Sequence, residues 1–263
     1  MRRSPELERR GFGWHAVDLL EGGDLFAADR AFARHAQLAD QLRQRMPLRD
    51  VELWAAMRAI LDGRFADAAE HIERARDLGQ AAGDPATASI YWVQRYWLAI
   101  ERDEASELDD LVDPCARIAR ENPDVPAWRA ATTMLHSRRR DRDSATAEYE
   151  AVIAAGLDII PRDAVRLNAL TYLAETCAFL DDADRSPELF AALEPYAHRL
   201  ALIDRALACK GSVRRFLGLL AGTHGDVELA EANLREAMAV HDRLGATPLL
   251  DRTERDLRSL TRG

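Results

Sequence analysis

Apolar residues along this chain recur at steps of three and four, with polar and charged residues between them, which is the spacing of one buried face on an α-helix. Read together with the turn residues, the pattern predicts helix pairs at 6–21 and 24–44, 49–61 and 65–82, 85–101 and 104–121, 125–139 and 143–155. Two further pairs follow at 163–180 and 185–199, then 205–223 and 226–244, and a last helix covers 247–261. Gly22-Gly23-Asp24, Asp62-Gly63-Arg64 and Gly225-Asp226 separate the two helices of a pair, where glycine suits a left-handed cap. Between pairs stand Gly83-Asp84-Pro85, Asn122-Pro123-Asp124-Val125-Pro126, Pro161-Arg162-Asp163 and Gly245-Ala246-Thr247-Pro248. Their Asp and Thr can cap the next helix, and their prolines suit its first turn. No alternating Val, Ile and Thr run argues for a strand.

A second pattern lies over the first. A Gly or charged turn residue is followed five positions on by a small residue, then by an apolar residue four further on. It reads Gly23-Ala28-Phe32-His35, Gly63-Ala68-Ile72-Ala75, Arg140-Ala145-Tyr149-Val152, Asp181-Ser186-Phe190-Leu193 and Gly225-Ala230-Leu234-Ala237, with a looser copy around Arg102 and Leu108. A period of about 40 residues is the mark of a helical repeat array. The small residue lets the two helices of a hairpin approach closely, and the larger one fills the gap to the neighbouring hairpin. Leu217-Gly218 permits the same close approach in the last pair. The expected fold is therefore all-α: a single right-handed solenoid domain over 1–263, of about six helix hairpins with a C-terminal capping helix.

Those residues resemble the tetratricopeptide repeat family. The Leu-Gly of a first helix, the turn Gly63-Arg64-Phe65, and the alanine and larger residue of the second helix match its motif, with the Gly63 and Gly225 units matching best. The C-terminal stretch is also similar to the repeat region of large actinobacterial regulators that join a nucleotide cyclase or DNA-binding domain to a STAND-type ATPase module. The residues that carry this are Gly211-Ser212-Val213, Arg215, Leu217-Gly218, Gly225 through Ala237, Leu244-Gly245-Ala246-Thr247-Pro248 and Arg252-Thr253-Asp256-Leu257. Glu194-Pro195-Tyr196-Ala197 and Pro126-Ala127-Trp128-Arg129-Ala130 fit the same group. The resemblance implies a sensor and interaction module in bacterial regulation, free-standing or part of a longer chain. No GxxxxGK[ST] loop is present, so no ATPase role carries over. The chain has one lysine, Lys210, which excludes the lysine-based peptide clamp that some members of the family use.

Composition narrows the partners. Formal net charge is -9, which argues against nucleic acid and anionic membranes as targets. Three cysteines at long spacings, Cys115, Cys177 and Cys209, suggest reduced thiols and a cytoplasmic protein, and no uncharged run reaches bilayer length. The seven histidines show no HExxH and no pair three or four apart, so no metal and no cofactor is expected. No catalytic group is assigned: Gly211-Ser212-Val213 is not a nucleophile elbow, and the paired carboxylates read as helix caps. The charge run Arg138-Arg139-Arg140-Asp141-Arg142-Asp143 reads as a solvated turn.

The candidate site is a concave groove. Trp92 and Tyr96 stand one helical turn apart in Tyr91-Trp92-Val93-Gln94-Arg95-Tyr96-Trp97, and these aromatics are either groove or core. By register with other first helices, Leu53, Met57 and Met134 join them, with Arg95, Thr171, Glu175 and Arg215 as polar flanks. An apolar patch with polar edges suits a protein segment or a small effector. The expected function is a non-enzymatic scaffold that binds such a partner there. Two alternatives remain: a small-molecule sensor or enzyme with a pocket inside the solenoid, and a self-association module in which Leu249, Leu250, Leu257 and Leu260 pair two chains into a homodimer.

Overall fold

A computed structural model describes residues 4–162 and 165–260. Positions 163 and 261, where two predicted helices begin or end, lie outside the described residues. The protein is mostly helical. The first pairs are α1 (Pro5–Glu21) with α2 (Leu25–Leu42) and α3 (Arg45–Leu61) with α4 (Phe65–Ala82). Then come α5 (Thr87–Arg102), α6 (Ala105–Asp110), α7 (Val112–Glu121), α8 (Pro126–Arg138), α9 (Arg142–Ile153), α10 (Arg166–Leu180) and α11 (Ser186–Leu193). A β-hairpin of β1 (Leu200–Ile203) and β2 (Ala208–Ser212) precedes α12 (Val213–Thr223), α13 (Val227–Arg243) and α14 (Thr247–Leu260). None of these helices is long and apolar enough to cross a membrane.

The repeat pattern has a direct physical basis. The small residue of each copy (Ala28, Ala68, Ala145, Ser186 and Ala230) is fully buried. Its larger partner four residues on packs beside it, most completely at Ile72, Tyr149 and Leu234. The turn residue of each copy is left-handed. Gly63 (φ 74°) and Gly225 (φ 87°) adopt this at no steric cost, whereas Arg140 and Asp181, both at φ 58°, do so at about 1–2 kcal/mol each. That turn lets the next backbone N–H reach back over the helix end, as in Asp141 N to His136 O (3.0 Å) and Asp226 N to Ala221 O (2.9 Å). Asp24, Asp141 and Asp226 then cap the second helix through their side chains.

Three expectations are corrected. The helix expected over 104–121 is two, α6 and α7, because Pro114 has no N–H to continue the ladder across Asp110 and Leu111. The helix expected over 185–199 stops at Leu193, where Pro195 lies in a single 3-10 turn, Glu194–Tyr196. The first part of 205–223 is a strand, not a helix. Here β1 and β2 pair antiparallel, with Leu202 opposite Cys209 and Ile203 opposite Ala208. Leu200 and Ala201 of β1, and all of β2, are buried. A strand covered on both faces carries no polar alternation, so its Leu and Ala read as helix formers. Gly211, at φ 87°, lies within β2 where the register between the strands shifts, and the Ser212 hydroxyl caps α12 by accepting from Arg214 N.

The hairpin sits among the helices and is part of the core. Ala201 and Ala208 belong to the large apolar cluster built from α3–α5 and α8–α12. Leu200, Leu202, Ala206 and Cys209 belong to a second cluster that joins Trp54, Met57 and Leu61 of α3 to Leu244, Ala246 and Leu249 near α14. Parts of the chain far apart in sequence therefore meet: α14 packs on α3, and β1 packs on α1. Gly211 is tightly enclosed at this junction, and a Cβ there would lie 2.5 Å from His241 Nε2. Gly211→Ala is expected to destabilise the protein by about 2 kcal/mol, combining backbone strain and overpacking. A urea titration that gives the variant the wild-type midpoint would contradict this account of the hairpin.

Candidate functional site

The expected groove residues are mostly buried. Met134 and Thr171 are fully buried, and Leu53, Met57, Tyr96, Glu175 and Arg215 are nearly so; Trp92 and Arg95 are half-buried. The space the groove needs is taken by the chain's own hairpin. Gln94 of α5, fully buried, donates from Nε2 to Leu53 O (2.9 Å) and to Leu207 O at the hairpin turn (3.0 Å), so the hairpin is clamped to α3. The Tyr96 hydroxyl donates to Ala131 O at 2.9 Å, and its ring meets Trp97 and Tyr172 edge-on. With Trp92 these rings line a cavity of only about 30 Å³, the space of a water molecule.

Beneath the hairpin lies the chain's one lysine. Lys210 on β2 is fully buried, with Nζ against the rings of Tyr172 (3.5 Å), Phe216 (5.4 Å) and Trp97 (5.6 Å). Nζ donates to Thr171 Oγ1 and to Asn168 O (3.3 Å) on α10. Among the described residues no carboxylate pairs with it, and burial holds its pKa well below the ordinary lysine value. Glu175 and Arg215 belong to a neighbouring chain of ion pairs that crosses the inner helices. Arg138 of α8 meets Glu175 at 2.6 Å, Glu175 meets Arg215 of α12 at 2.7 Å, and Arg215 meets Asp256 of α14 at 2.7 Å. Arg252 of α14 pairs with Glu101 of α5 at 2.8 Å. Against these guanidinium groups burial pulls the His241 pKa down to about 3, so that ring is neutral and accepts from Ser212 N at 2.9 Å.

A cleft of about 550 Å³ opens elsewhere, between α1, α2, α3 and the hairpin turn. One wall is a column of rings. Trp54 of α3 stacks on Phe32 of α2 (centroids 4.3 Å apart, 8° between planes), and Phe32 stacks on His35 (4.7 Å, 18°). Trp14 of α1 stands at the rim, 56% exposed. The other wall is ionic. Buried Arg9 of α1 donates to Glu6 (2.9 Å) and Asp50 (3.2 Å), and Arg49 of α3 pairs with Asp84 and Asp50. His35 Nδ1 lies 3.1 Å from Arg9 O, which only accepts, so this nitrogen carries the proton. Nε2 then accepts from the Arg9 guanidinium at 3.2 Å. Burial keeps the imidazole pKa below its ordinary value, in agreement with a neutral ring.

No family model matches this chain, and no curated protein or solved structure matches it. The cleft therefore stands on its own geometry. Of the expected site residues only Leu53 lines it. Phe32 and His35 are repeat positions in the sequence and Trp54 is an interior position of α3, but nothing in their spacing places Arg9, Asp50 and Arg205 beside them. These residues come from three helices and from a hairpin turn that the apolar pattern does not reveal. Among the described residues no cluster of His, Cys, Asp or Glu has the form of a metal site. The thiols are held in their neutral form, since burial pushes Cys115 and Cys209 up to about 12 and Cys177 up to about 11.

Proposed function

We propose that this chain is a binding module that holds a small amphipathic molecule in the cleft between α1, α2, α3 and the hairpin turn. The observation that carries the reading is the cleft: about 550 Å³, walled by stacked rings on one side and by arginines and carboxylates on the other. That volume is within the range of small-molecule sites, and apolar walls with a few polar groups are their usual make-up. The reading is preferred to the concave groove because Met134 and Thr171 are fully buried and Thr171 is already met by Lys210 of the hairpin. The repeat residues support a tetratricopeptide-like, right-handed solenoid as the scaffold. The resemblance to repeat regions of bacterial regulators supports a sensor role, in which ligand occupancy is passed to a partner protein.

N-phenylnaphthylamine, an uncharged aromatic that brightens in apolar surroundings, tests the cleft. Saturable binding at one site is expected. Trp14→Ala should weaken it about fivefold, the value of one aromatic contact. The unfolding temperature should not change, since Trp14 is more than half exposed. No saturable binding, or equal binding by Trp14→Ala, would remove the cleft as the site.

A further inference from the structure

The geometry points to a negative charge on the ligand, a single carboxylate held by Arg205 at the hairpin turn. This rests on the cleft reading above and names the chemical class that the cleft takes. The cleft lining carries Arg9, Arg10, Arg49 and Arg205 against Glu6 and Asp50, an excess of positive charge in a chain of net charge -9. Three of the four arginines are already engaged. Arg9 is shared between Glu6 and Asp50, Arg10 pairs with Glu6 at 3.0 Å, and Arg49 pairs with Asp84 and Asp50. Arg205, exposed at the turn, has no hydrogen bond or ion pair among the described residues.

The turn that carries Arg205 is held in place. Asp204 (φ 48°) and Ala206 (φ 60°) on either side are both left-handed, Leu207 N closes the turn on Ile203 O at 2.9 Å, and Gln94 anchors Leu207 O. Ala206 and Leu207 are buried. The backbone on both sides of Arg205 is therefore fixed, and only its side chain is free to meet a ligand. A guanidinium presents a planar fork that matches a carboxylate with two parallel hydrogen bonds. One uncompensated cation calls for one negative charge, and the rings of Trp14 and Trp54 call for an apolar or planar body attached to it. The ligand is thus a small aromatic or aliphatic carboxylic acid.

The test compares naphthylacetate with naphthylacetamide, matched except for charge, each titrated against the protein's own tryptophan fluorescence. The acid is expected to bind about fivefold more tightly than the amide, the value of an ion pair open to solvent. The difference should shrink as salt is raised. Arg205→Ala should remove it, and Arg205→Lys should retain part of it, because the charge stays and the fork is lost. Equal binding of acid and amide by the wild type, or a difference that survives in Arg205→Ala, would overturn the carboxylate. Equal binding that still depends on Trp14 would leave the cleft reading standing, and binding of neither compound would remove both.

Discussion

Glu175→Gln is expected to cost about 3–5 kcal/mol of stability at neutral pH, the usual result of stripping the partner from buried charges. The carboxylate stands between Arg138 and Arg215, at 2.6 and 2.7 Å, and both guanidinium groups are largely shielded from water. Glutamine keeps the shape and can still accept, but it leaves two cations facing one another with one fewer negative charge. Arg215 retains Asp256, whereas Arg138 has no other ion pair among the described residues. Glu231→Gln on the surface pair with Arg235 should cost about 0.5 kcal/mol and serves as the control. Urea midpoints at one pH give both numbers, and similar losses in the two variants would contradict a structural role for the buried chain.

The same carboxylate sets a pH dependence. Burial alone would raise the Glu175 pKa, but the charges of Arg138, Arg215 and Arg252 hold it well below its ordinary value of 4.5. A lowered carboxylate pKa contributes stability that is fully present above the unfolded value and is lost as pH falls below it. Wild type should therefore lose stability steeply below pH 4.5, and Glu175→Gln less steeply.

Lys210→Met is expected to act in the opposite direction, adding about 2–4 kcal/mol at neutral pH. The lysine pKa is lowered, so between the folded value and 10.5 the unfolded chain binds more protons than the folded one. Protonation thus favours unfolding, and the native state weakens as pH falls from 10.5 toward the folded value. Methionine fills a similar volume among Tyr172, Trp97 and Phe216 with no proton to lose. Its former partners are not left unpaired: the Thr171 hydroxyl still donates to Leu167 O, and Asn168 O still lies 3.0 Å from that hydroxyl. The gain over wild type should grow as pH is lowered below 10.5, and a variant with the wild-type midpoint at every pH would refute the assignment.

The helices and their pairing are legible in the sequence because each is a local matter. The small residue at Ala28, Ala68 or Ala230, the left-handed turn and the capping Asp all lie within one hairpin. The hairpin strands are not legible, since Leu200 to Leu202 and Ala208 to Ser212 are buried with no alternation of exposed positions to display. That one omission moves the site. Read as helix, 205–212 leaves Tyr96, Met134, Thr171 and Glu175 facing an expected groove; in the structure all four are buried, and the open space lies at the hairpin turn. Thr171, Glu175 and Arg215, expected as the flanks of a groove, are instead the surroundings of a buried lysine and members of an ion-pair chain. The cleft residues carry no shared spacing because Arg9, His35, Asp50 and Arg205 are joined only by the tertiary fold.

These contacts between distant parts of the chain have a consequence for synthesis. The Arg252–Glu101 pair links positions 151 apart, and the cluster that contains Trp54 and Met57 is completed by Leu244 and Leu249. During translation the part of α3 that carries Trp54 and Met57 therefore stays incompletely covered until residues 244–249 have left the ribosome. An open array could settle turn by turn as it emerges. Here the cover over Trp54 waits for α14, so until then the nascent chain shows that apolar surface to chaperones and to aggregation.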